Sequence, residues 1–309
     1  MTTTAVDVGR TALRVLQAAS PRAAGALADR MFCTPPRWRP TPAHHAFLAT
    51  SDAFTVCSDG RRVAAWRWGS GPAVALVHGW RSRGMRFRTL VQALAERGFT
   101  AVVFDAPGHG ASDGRTSSMV QFARALAAVT DRVGPLHAVV GHSLGGAASA
   151  LAMREGVEVQ RAVFIAAPAD PGAYVDQFAQ LFAVRQPALS AMRRRIARRL
   201  RTRWDVLNVP AMAREIDVPV LVVHDREDPT VPWSDGAAIA GAWGAELVTT
   251  TGLGHHAVVG HPATVQRVVG FLAAGLKTGE SVPASAAEWL ERELYERERR
   301  WRRIAATRV

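Results

Sequence analysis

The sequence predicts an α/β fold built on a doubly wound, mostly parallel sheet. From residue 73 onward, short apolar runs alternate with amphipathic stretches at the spacing of β-α-β units. Runs this short and this apolar are typical of parallel strands that are covered on both faces. In addition, an apolar run at Val139–Val140 passes into small residues on either side of one hydroxyl, that of Ser143. This pattern indicates a strand that turns sharply into a helix, with the serine at the turn.

The predicted elements follow from these patterns in chain order. An antiparallel pair comes first, because Ser58-Asp59-Gly60 is a hairpin-type turn between two apolar runs. The predicted strands are Phe54–Cys57, Val63–Trp68, Ala73–Val77, Thr100–Phe104, Leu136–Val140, Ala162–Ala166, Val220–Val223 and Glu246–Thr249. The predicted helices between and after them are Phe87–Glu96, Met119–Val133, Gly146–Arg154, Asp235–Ala242 and Ala263–Leu272. Because such a sheet binds ligands at the carboxyl ends of its strands, functional residues should follow these runs.

Three segments depart from this alternation. Residues 1–50 are expected to form an N-terminal extension of two short helices and a proline-rich strap, with Ser20-Pro21 beginning the second helix. The main domain is expected at 51–276, with a small helical cap inserted at about 168–218. Residues 277–309 are predicted to form a charged helix, whose apolar stripe would pack on the main domain or on a second copy of the chain. A monomer and a homodimer both remain open.

Composition limits the class of protein. The 309 residues are 48% hydrophobic, which is enough for a large core, and no apolar run approaches the roughly 18 residues of a membrane span. The charged N-terminus is unlike a signal peptide, and two cysteines do not make a disulfide framework, so a cytoplasmic protein is expected. The net charge of +12 makes nucleic acid, an anionic membrane and an acidic substrate candidate partners. No nucleic-acid-binding motif supports the first, and the arginines at 193–201 fit either a solvated surface or acidic-substrate recognition.

Ser143 needs two partners before it can react. A serine hydroxyl is a poor nucleophile until a base takes its proton, and an acid must hold that base in one tautomer. Candidate acids, Asp225 and Asp228, follow the run at 220–223, and candidate bases, His255 and His256, follow the run at 246–249. The sequence therefore offers a nucleophile, an acid and a base, each just after a predicted strand.

These motifs resemble the α/β-hydrolase family over roughly residues 73 to 272. The matching elements, in family order, are Val77-His78-Gly79-Trp80, the turn from Asp105 to Ser112, the Gly-His-Ser-Leu-Gly-Gly elbow at 141–146, Asp228 with its Val-Pro, and Gly254-His255. The resemblance implies Ser143 as nucleophile, Asp228 as orienting acid and His255 as general base. It also implies an oxyanion hole from the backbone amides of Trp80 and Leu144.

The remaining polar residues near these motifs have weaker functional interpretations. His142 and Arg81 are candidate substrate-binding residues, since they flank the nucleophile and the oxyanion loop. His78 is expected to support that loop, and the turn containing Asp105 and His109 is expected to be structural.

The resulting hypothesis is a serine hydrolase of the carboxylesterase type, acting on a small acyl substrate with no cofactor and no metal. A lactonase or C–C bond hydrolase would use the same residues, and a non-catalytic scaffold on the same fold is the alternative of another class.

Overall fold

The protein is built around one sheet of eight strands. The computed structural model describes residues 3–36, 40–274 and 276. The strands are β1 (Asp52–Ser58), β2 (Arg61–Trp68), β3 (Ala73–Val77), β4 (Thr100–Phe104), β5 (Leu136–His142), β6 (Val159–Ile165), β7 (Val220–Asp225) and β8 (Glu246–Thr250). Their spatial order is β1-β2-β4-β3-β5-β6-β7-β8. The strand β2 runs antiparallel to its neighbours β1 and β4, and the other neighbouring pairs are parallel. The predicted doubly wound α/β fold is confirmed.

Helices cover both faces of the sheet. In the described residues they are α1 (Thr3–Ala19), α2 (Pro21–Cys33), α3 (Pro42–Leu48), α4 (Arg88–Glu96), α5 (Met119–Val133), α6 (Leu144–Arg154), α7 (Ala173–Phe182), α8 (Ala188–Leu200), α9 (Val209–Met212), α10 (Trp233–Trp243), α11 (Gly254–Ala257) and α12 (Pro262–Ala273). Short 3₁₀ turns lie at Gly84–Phe87, Asp205–Leu207 and Val258–Gly260. None of these helices is both long enough and apolar enough to cross a bilayer.

The alternation of side chains along the strands produces two core layers. In β3, Val74 and Leu76 are buried in the layer beneath α4 and α12, whereas Ala75 and Val77 are buried in the layer beneath α5 and α6. Successive strand residues point to opposite faces, so a strand covered on both sides must be apolar at every position. The short continuous apolar runs of the sequence have this physical cause.

Helix caps set several of the boundaries. The hydroxyl of Ser20 accepts a hydrogen bond from the Ala23 amide at 3.3 Å and begins α2, as its sequence pattern predicts. Ser118 caps α5 in the same way, and α5 ends before Gly134, whose φ of 90° an L side chain rarely adopts. The helix α5 consequently has the predicted bounds.

The N-terminal segment contains one helix more than the sequence indicates. The sequence predicts only a proline-rich strap after the second helix, but a third helix, α3, begins at Pro42. Thr41 and His44 form reciprocal side-chain-to-backbone hydrogen bonds that stabilise its first turn. A seven-residue helix has too few turns to show an apolar stripe, so periodicity alone does not predict it.

The expected cap segment contains α7, α8 and α9, and the N-terminal extension packs directly on it. The helix α2 lies along α8, and α1 contacts α7. The carboxylate of Asp29, only 4% exposed, binds both Arg195 and Arg199 of α8. Two of the cap arginines therefore face the N-terminal extension. The charged helix predicted at 277–309 lies outside the described residues.

Candidate active site

Ser143 occupies a strained turn between β5 and α6. Its φ of 54° and ψ of −128° are sparsely populated for a residue with a side chain, and such a conformation costs on the order of 1–3 kcal/mol. The Ser143 amide donates to the Ile165 carbonyl at 2.9 Å, which holds the turn against β6. A Cβ added to Gly141 would collide with the backbone of Gly146, and one added to Gly145 with the Val77 carbonyl. The two glycines are thus required by the close approach of α6 to the strands.

A continuous chain of hydrogen bonds joins Ser143, His255 and Asp228. His255 Nε2 lies 3.0 Å from Ser143 Oγ, and its Nδ1 lies 2.7 Å from Asp228 Oδ2. An ionised carboxylate only accepts hydrogen bonds, so His255 carries its proton on Nδ1 and presents the lone pair of Nε2 to the serine hydroxyl. The imidazole of His255 is 5% exposed, and Ser143 is half-buried at the carboxyl end of β5. The structure brings together the three residues that the sequence predicts as nucleophile, base and acid.

Backbone geometry places His255 within reach of the serine. Gly254 has a φ of 60°, in the left-handed region that favours glycine, and it directly precedes His255 at the start of α11. His142 Nε2 donates to the His255 carbonyl at 2.9 Å, which ties the histidine loop to the end of β5. This contact explains how a segment more than a hundred residues away in sequence is held at the elbow.

The two candidate acids have different environments. Asp225 ends β7 and braces its own loop, because its carboxylate accepts from the amides of Glu227 and Leu253 and from the Thr250 hydroxyl. Asp228 uses Oδ1 to accept from the amides of Thr230 and Val231, at 2.8 and 2.9 Å. Its other oxygen, Oδ2, is the one that meets His255.

Asp228 also lies beside a second histidine, His224, whose side chain is fully buried. His224 Nε2 donates to the Val231 carbonyl at 3.0 Å and is 3.6 Å from Asp228 Oδ2. Burial raises the pKa of Asp228, but the imidazoles of His224 and His255 and the amides of Val231 and Thr230 lower it by more. The net result is a pKa below the usual range for an aspartate, so this carboxylate stays ionised across the neutral range.

His256, the alternative base, lies beside the chain of hydrogen bonds rather than in it. Its ring makes an edge contact with the ring of His255, with centroids 5.1 Å apart, and its side chain is partly exposed and partly buried against the site. Burial, followed by the positive charge of Arg86, lowers the pKa of His256. His256 is therefore a neutral ring at the edge of the site.

The loop after β3 is fixed against Ser143 by two buried histidines. His78 accepts from the Ala106 amide at 3.0 Å and donates through Nδ1 to the Gly79 carbonyl at 2.7 Å. His109 accepts from the Arg81 amide at 3.3 Å. A Cβ on Gly79 would lie only 2.8 Å from the Cβ of Ser143, so this loop passes directly over the serine.

Trp80 and Leu144, the expected oxyanion residues, directly follow the two residues that make this contact, Gly79 and Ser143. Leu144 is the first residue of α6, and its amide has no acceptor in a preceding helical turn. Trp80 lies between Gly79 and Arg81 and packs against the ring of His109, with centroids 5.2 Å apart.

The two expected substrate-binding residues have structural contacts of their own. His142 is 1% exposed and holds the His255 loop, as described above. Arg81 has a φ of 61°, and its amide is bound by His109, while its side chain is exposed. Substrate contact by either residue stays a prediction.

The turn after β4 supports the loops around it. The Asp105 carboxylate accepts from the amides of Gly84 and Ala111, both at 2.8 Å, and the Ser112 hydroxyl donates to the Asp105 carbonyl. The sequence interpretation of this turn as structural agrees with these contacts.

Three histidines at the site could each offer a nitrogen to a metal ion. The nitrogens of His142, His255 and His256 lie within 4.8 Å of one another. However, both nitrogens of His255 bond to Ser143 and Asp228, and Nε2 of His142 bonds to a carbonyl. A metal ion in this position would have to displace the serine or the aspartate.

Sequence reasoning missed two residues that border the site. His224 lies four residues before Asp228 but carries no motif of its own. Tyr174 at the start of α7 donates to the Thr230 carbonyl at 3.4 Å, so α7 reaches the loop that holds Asp228. Burial and the charges of Asp235 and Asp228 raise the Tyr174 pKa, so its hydroxyl stays protonated. Apolar periodicity points only to the core face of α7 and gives no signal for this contact.

Comparison with known proteins agrees with this fold. A model of the "Alpha/beta hydrolase family" matches residues 74–268. A non-heme haloperoxidase of Rhodococcus erythropolis is 34% identical over 96 residues, which are 30% of this chain and 35% of that protein. A pimeloyl-[acyl-carrier protein] methyl ester esterase of Stenotrophomonas maltophilia is 44% identical over 80 residues, 25% of this chain and 29% of that protein. Both matches thus span about a third of the relative's length.

Solved structures resemble a much larger part of the chain. An esterase of Pyrococcus furiosus has a TM-score of 0.62 at 19% identity, covering 79% of this chain and 98% of that one. A likeness at this identity shows the fold, whereas the family model matches the sequence itself over well more than half of its length. The protein therefore belongs to the alpha/beta hydrolase family.

Proposed function

We propose that the protein is a serine hydrolase that cleaves a carboxylic ester or a related acyl bond through a covalent acyl-enzyme. The observation that carries this proposal is the hydrogen-bond chain from Asp228 through His255 to Ser143, formed at a strained elbow. Strain of this kind persists only where the surrounding structure enforces it, and it exposes the hydroxyl to a substrate. A scaffold protein would have no use for such a turn.

In the first half of the reaction, His255 Nε2 removes the proton of Ser143 as the Oγ attacks the acyl carbonyl carbon. The negative charge on the carbonyl oxygen is stabilised by the amides of Leu144 and Trp80. When the tetrahedral intermediate collapses, the bond to the leaving alcohol breaks, and the alcohol oxygen takes the proton from His255. The product of this half is the acyl ester of Ser143.

In the second half, water replaces the alcohol. The oxygen of the water attacks the acyl carbon while His255 takes a proton from that water. The same amides stabilise the second oxyanion. Collapse then releases the carboxylic acid and returns the proton to Ser143. Throughout, Asp228 stays ionised and stabilises the imidazolium form of His255, because its pKa lies below the usual range.

Labelling with a fluorophosphonate tests the nucleophile. We expect the probe to modify the wild-type protein at Ser143 and to leave Ser143→Ala unmodified. The Ser143→Ala variant should retain its fold, and its kcat on an activated ester should fall by a factor of about 10⁴–10⁶. Ser190→Ala is the matched control, because Ser190 lies on α8 and bonds to Gln186. An unlabelled wild type, or a Ser143→Ala variant within tenfold of wild-type activity, would contradict the proposal and favour the scaffold alternative.

A substrate panel then defines the bond that is cleaved. Esters, thioesters, lactones and a vinylogous diketone for C–C cleavage should be compared by kcat/KM, with acyl chains of different length and charge. We expect simple esters to be among the best substrates. The cytoplasmic location expected from the sequence, and the monomeric or dimeric state, stay predictions.

A further inference from the structure

A strongly basic surface lies where α1, α2 and α8 meet, and none of the triad residues lines it. We call it the basic face; its arginines are Arg10, Arg14, Arg22, Arg185, Arg194, Arg195 and Arg198. They line two adjoining concavities of about 470 and 480 Å³. Pro21 and Ala188 line the first concavity, and Arg22 and Ala191 line the second, so both concavities lie along the same two helices, α2 and α8.

The positive charge of this face is poorly compensated. Asp29 is its buried acid, and that one carboxylate binds both Arg195 and Arg199, at 3.0 and 2.7 Å. Among the described residues, no carboxylate forms an ion pair with Arg14, Arg22, Arg194 or Arg198. Arg194 and Arg198 are also four residues apart on α8, where like charges repel. The arrangement raises the electrostatic potential of the face and favours an anionic partner.

Exposed apolar side chains lie on α1 and α7, the two helices that border the basic face. Of the large hydrophobic residues in the described chain, those that are exposed are Val8 at 65%, Val15 at 63% and Leu181 at 45%. Val8 and Val15 are seven residues apart on α1, so they share one side of the helix. Arg10 donates to the Leu181 carbonyl at 2.6 Å, which places the end of α7 beside α1. Single exposed hydrophobic residues are ordinary on a protein surface, but these three lie on α1 and α7, next to the concavities that the arginines line.

We propose that the basic face docks the protein on the surface of an anionic lipid bilayer. The arginines would contact lipid phosphates, while Val8, Val15 and Leu181 enter the headgroup region, as in other peripheral amphipathic helices. Nucleic acid is the less favoured partner, because no aromatic side chain lines the two concavities and exposed valines gain nothing from a phosphate backbone. Docking would hold the protein at a membrane surface; that this would bring a hydrolase close to acyl substrates rests on the function proposed above.

Vesicle co-sedimentation of the full chain tests this assignment. The probes are vesicles of phosphatidylcholine alone and of phosphatidylcholine with phosphatidylglycerol in equal parts. We expect binding to the anionic vesicles that weakens with added salt, and little binding to the neutral ones. The double variant Arg194→Glu/Arg198→Glu should lose at least about tenfold in vesicle binding, because both side chains are exposed and near the bilayer. Equal binding to both vesicle types would overturn the proposal.

A matched variant shows whether vesicle binding depends on the location of the positive charge or on the net charge of the protein. Arg88→Glu/Arg132→Glu makes the same change in net charge on α4 and α5, where both arginines are exposed. We expect this control to bind anionic vesicles nearly as well as wild type. If the control loses as much as Arg194→Glu/Arg198→Glu, binding depends on net charge and the basic face has no special role.

A third variant distinguishes a membrane from nucleic acid without changing charge. Val8→Ser/Val15→Ser should weaken vesicle binding severalfold and leave any binding to duplex DNA unaltered, because only the bilayer accepts apolar side chains. No effect on vesicle binding, together with tighter binding to DNA than to vesicles, would reject the membrane in favour of a polyanion. This variant leaves the α2–α8 contacts intact, so it remains informative if the arginine variant does not fold.

Discussion

His255 and His256 are adjacent in sequence, but their positions in the site differ. Only His255 reaches both Ser143 and Asp228, whereas His256 contacts the first histidine by ring packing. We therefore expect His255→Ala to lower kcat by about 10⁴–10⁶, and His256→Ala to stay within about tenfold of wild type. Steady-state kinetics on an activated ester, with fluorophosphonate labelling rates, measures both. If His256→Ala lowers kcat severely and His255→Ala lowers it only mildly, then His256 is the base.

The two aspartates should separate activity from stability. Asp228→Asn removes the acceptor that fixes the His255 tautomer, so kcat should fall about 10⁴-fold with the fold intact. Asp225→Asn leaves that contact in place but weakens three hydrogen bonds that brace the loop, two of them from the amides of Glu227 and Leu253. This variant should lose about 1–3 kcal/mol of unfolding free energy. Urea unfolding and kinetics on both variants are the measurements, and an Asp225→Asn that loses kcat but no stability would contradict this division.

At the scale of elements, α10 contains a glycine that packs against the acid side of the site. A Cβ on Gly236 would collide with the His224 imidazole, the ring that lies beside Asp228. We expect Gly236→Ala to displace His224 and, through it, the Asp228 carboxylate, so that kcat falls about tenfold while KM changes little. The readout is the separate measurement of kcat and KM, since damage to substrate binding would raise KM instead.

Gly241, in the same helix, is the matched control. A Cβ there meets no atom within 4 Å, so Gly241→Ala adds helix propensity without a collision. This variant should gain about 0.5–1 kcal/mol in unfolding free energy and keep its kcat. If Gly236→Ala and Gly241→Ala behave alike in kcat, the contact between α10 and His224 does not position the acid.

The sequence predicts the strands, and the helices that cover them, well, because local hydrophobic patterns determine both. The strands β3 and β4 have the predicted bounds, since burial on both faces requires an unbroken apolar run. The site residues could be predicted for a related reason: each follows a strand, and all the strands but β1 and β2 belong to one parallel set. Their hydrogen bonds could not be predicted, because they depend on loop conformations such as the positive φ of Gly254.

Contacts between segments that are distant in sequence cannot be predicted from local sequence patterns. The charge-rich α8 could be predicted as a helix, but not that Asp29, more than 160 residues earlier, binds two of its arginines. Likewise, α7 shows an apolar stripe, yet nothing local indicates that Tyr174 would reach the Thr230 carbonyl. These contacts come from packing the N-terminal extension on the cap, which is a property of the folded chain as a whole.

Three buried neutral histidines should make the stability of the protein depend on pH. Burial lowers the pKa of His78 to about 4 and that of His109 to about 3, and it lowers that of His142 well below its usual value. The unfolded chain titrates these groups near about 6.5, so below that pH it binds more protons than the folded protein. Stability is therefore complete above about pH 6.5 and is lost as the pH falls toward about 4.

The expected size of this effect makes it measurable. At about pH 5, each such histidine removes roughly 2 kcal/mol, and a domain has only about 5–15 kcal/mol in total. Asp105 opposes the trend at the acid end, because burial raises its pKa and the folded protein then holds that proton more tightly. Urea unfolding from about pH 7.5 to about pH 5 should give a falling free energy, with a shallower slope for His109→Gln. A flat profile for the wild type would contradict the neutral state of the buried histidines.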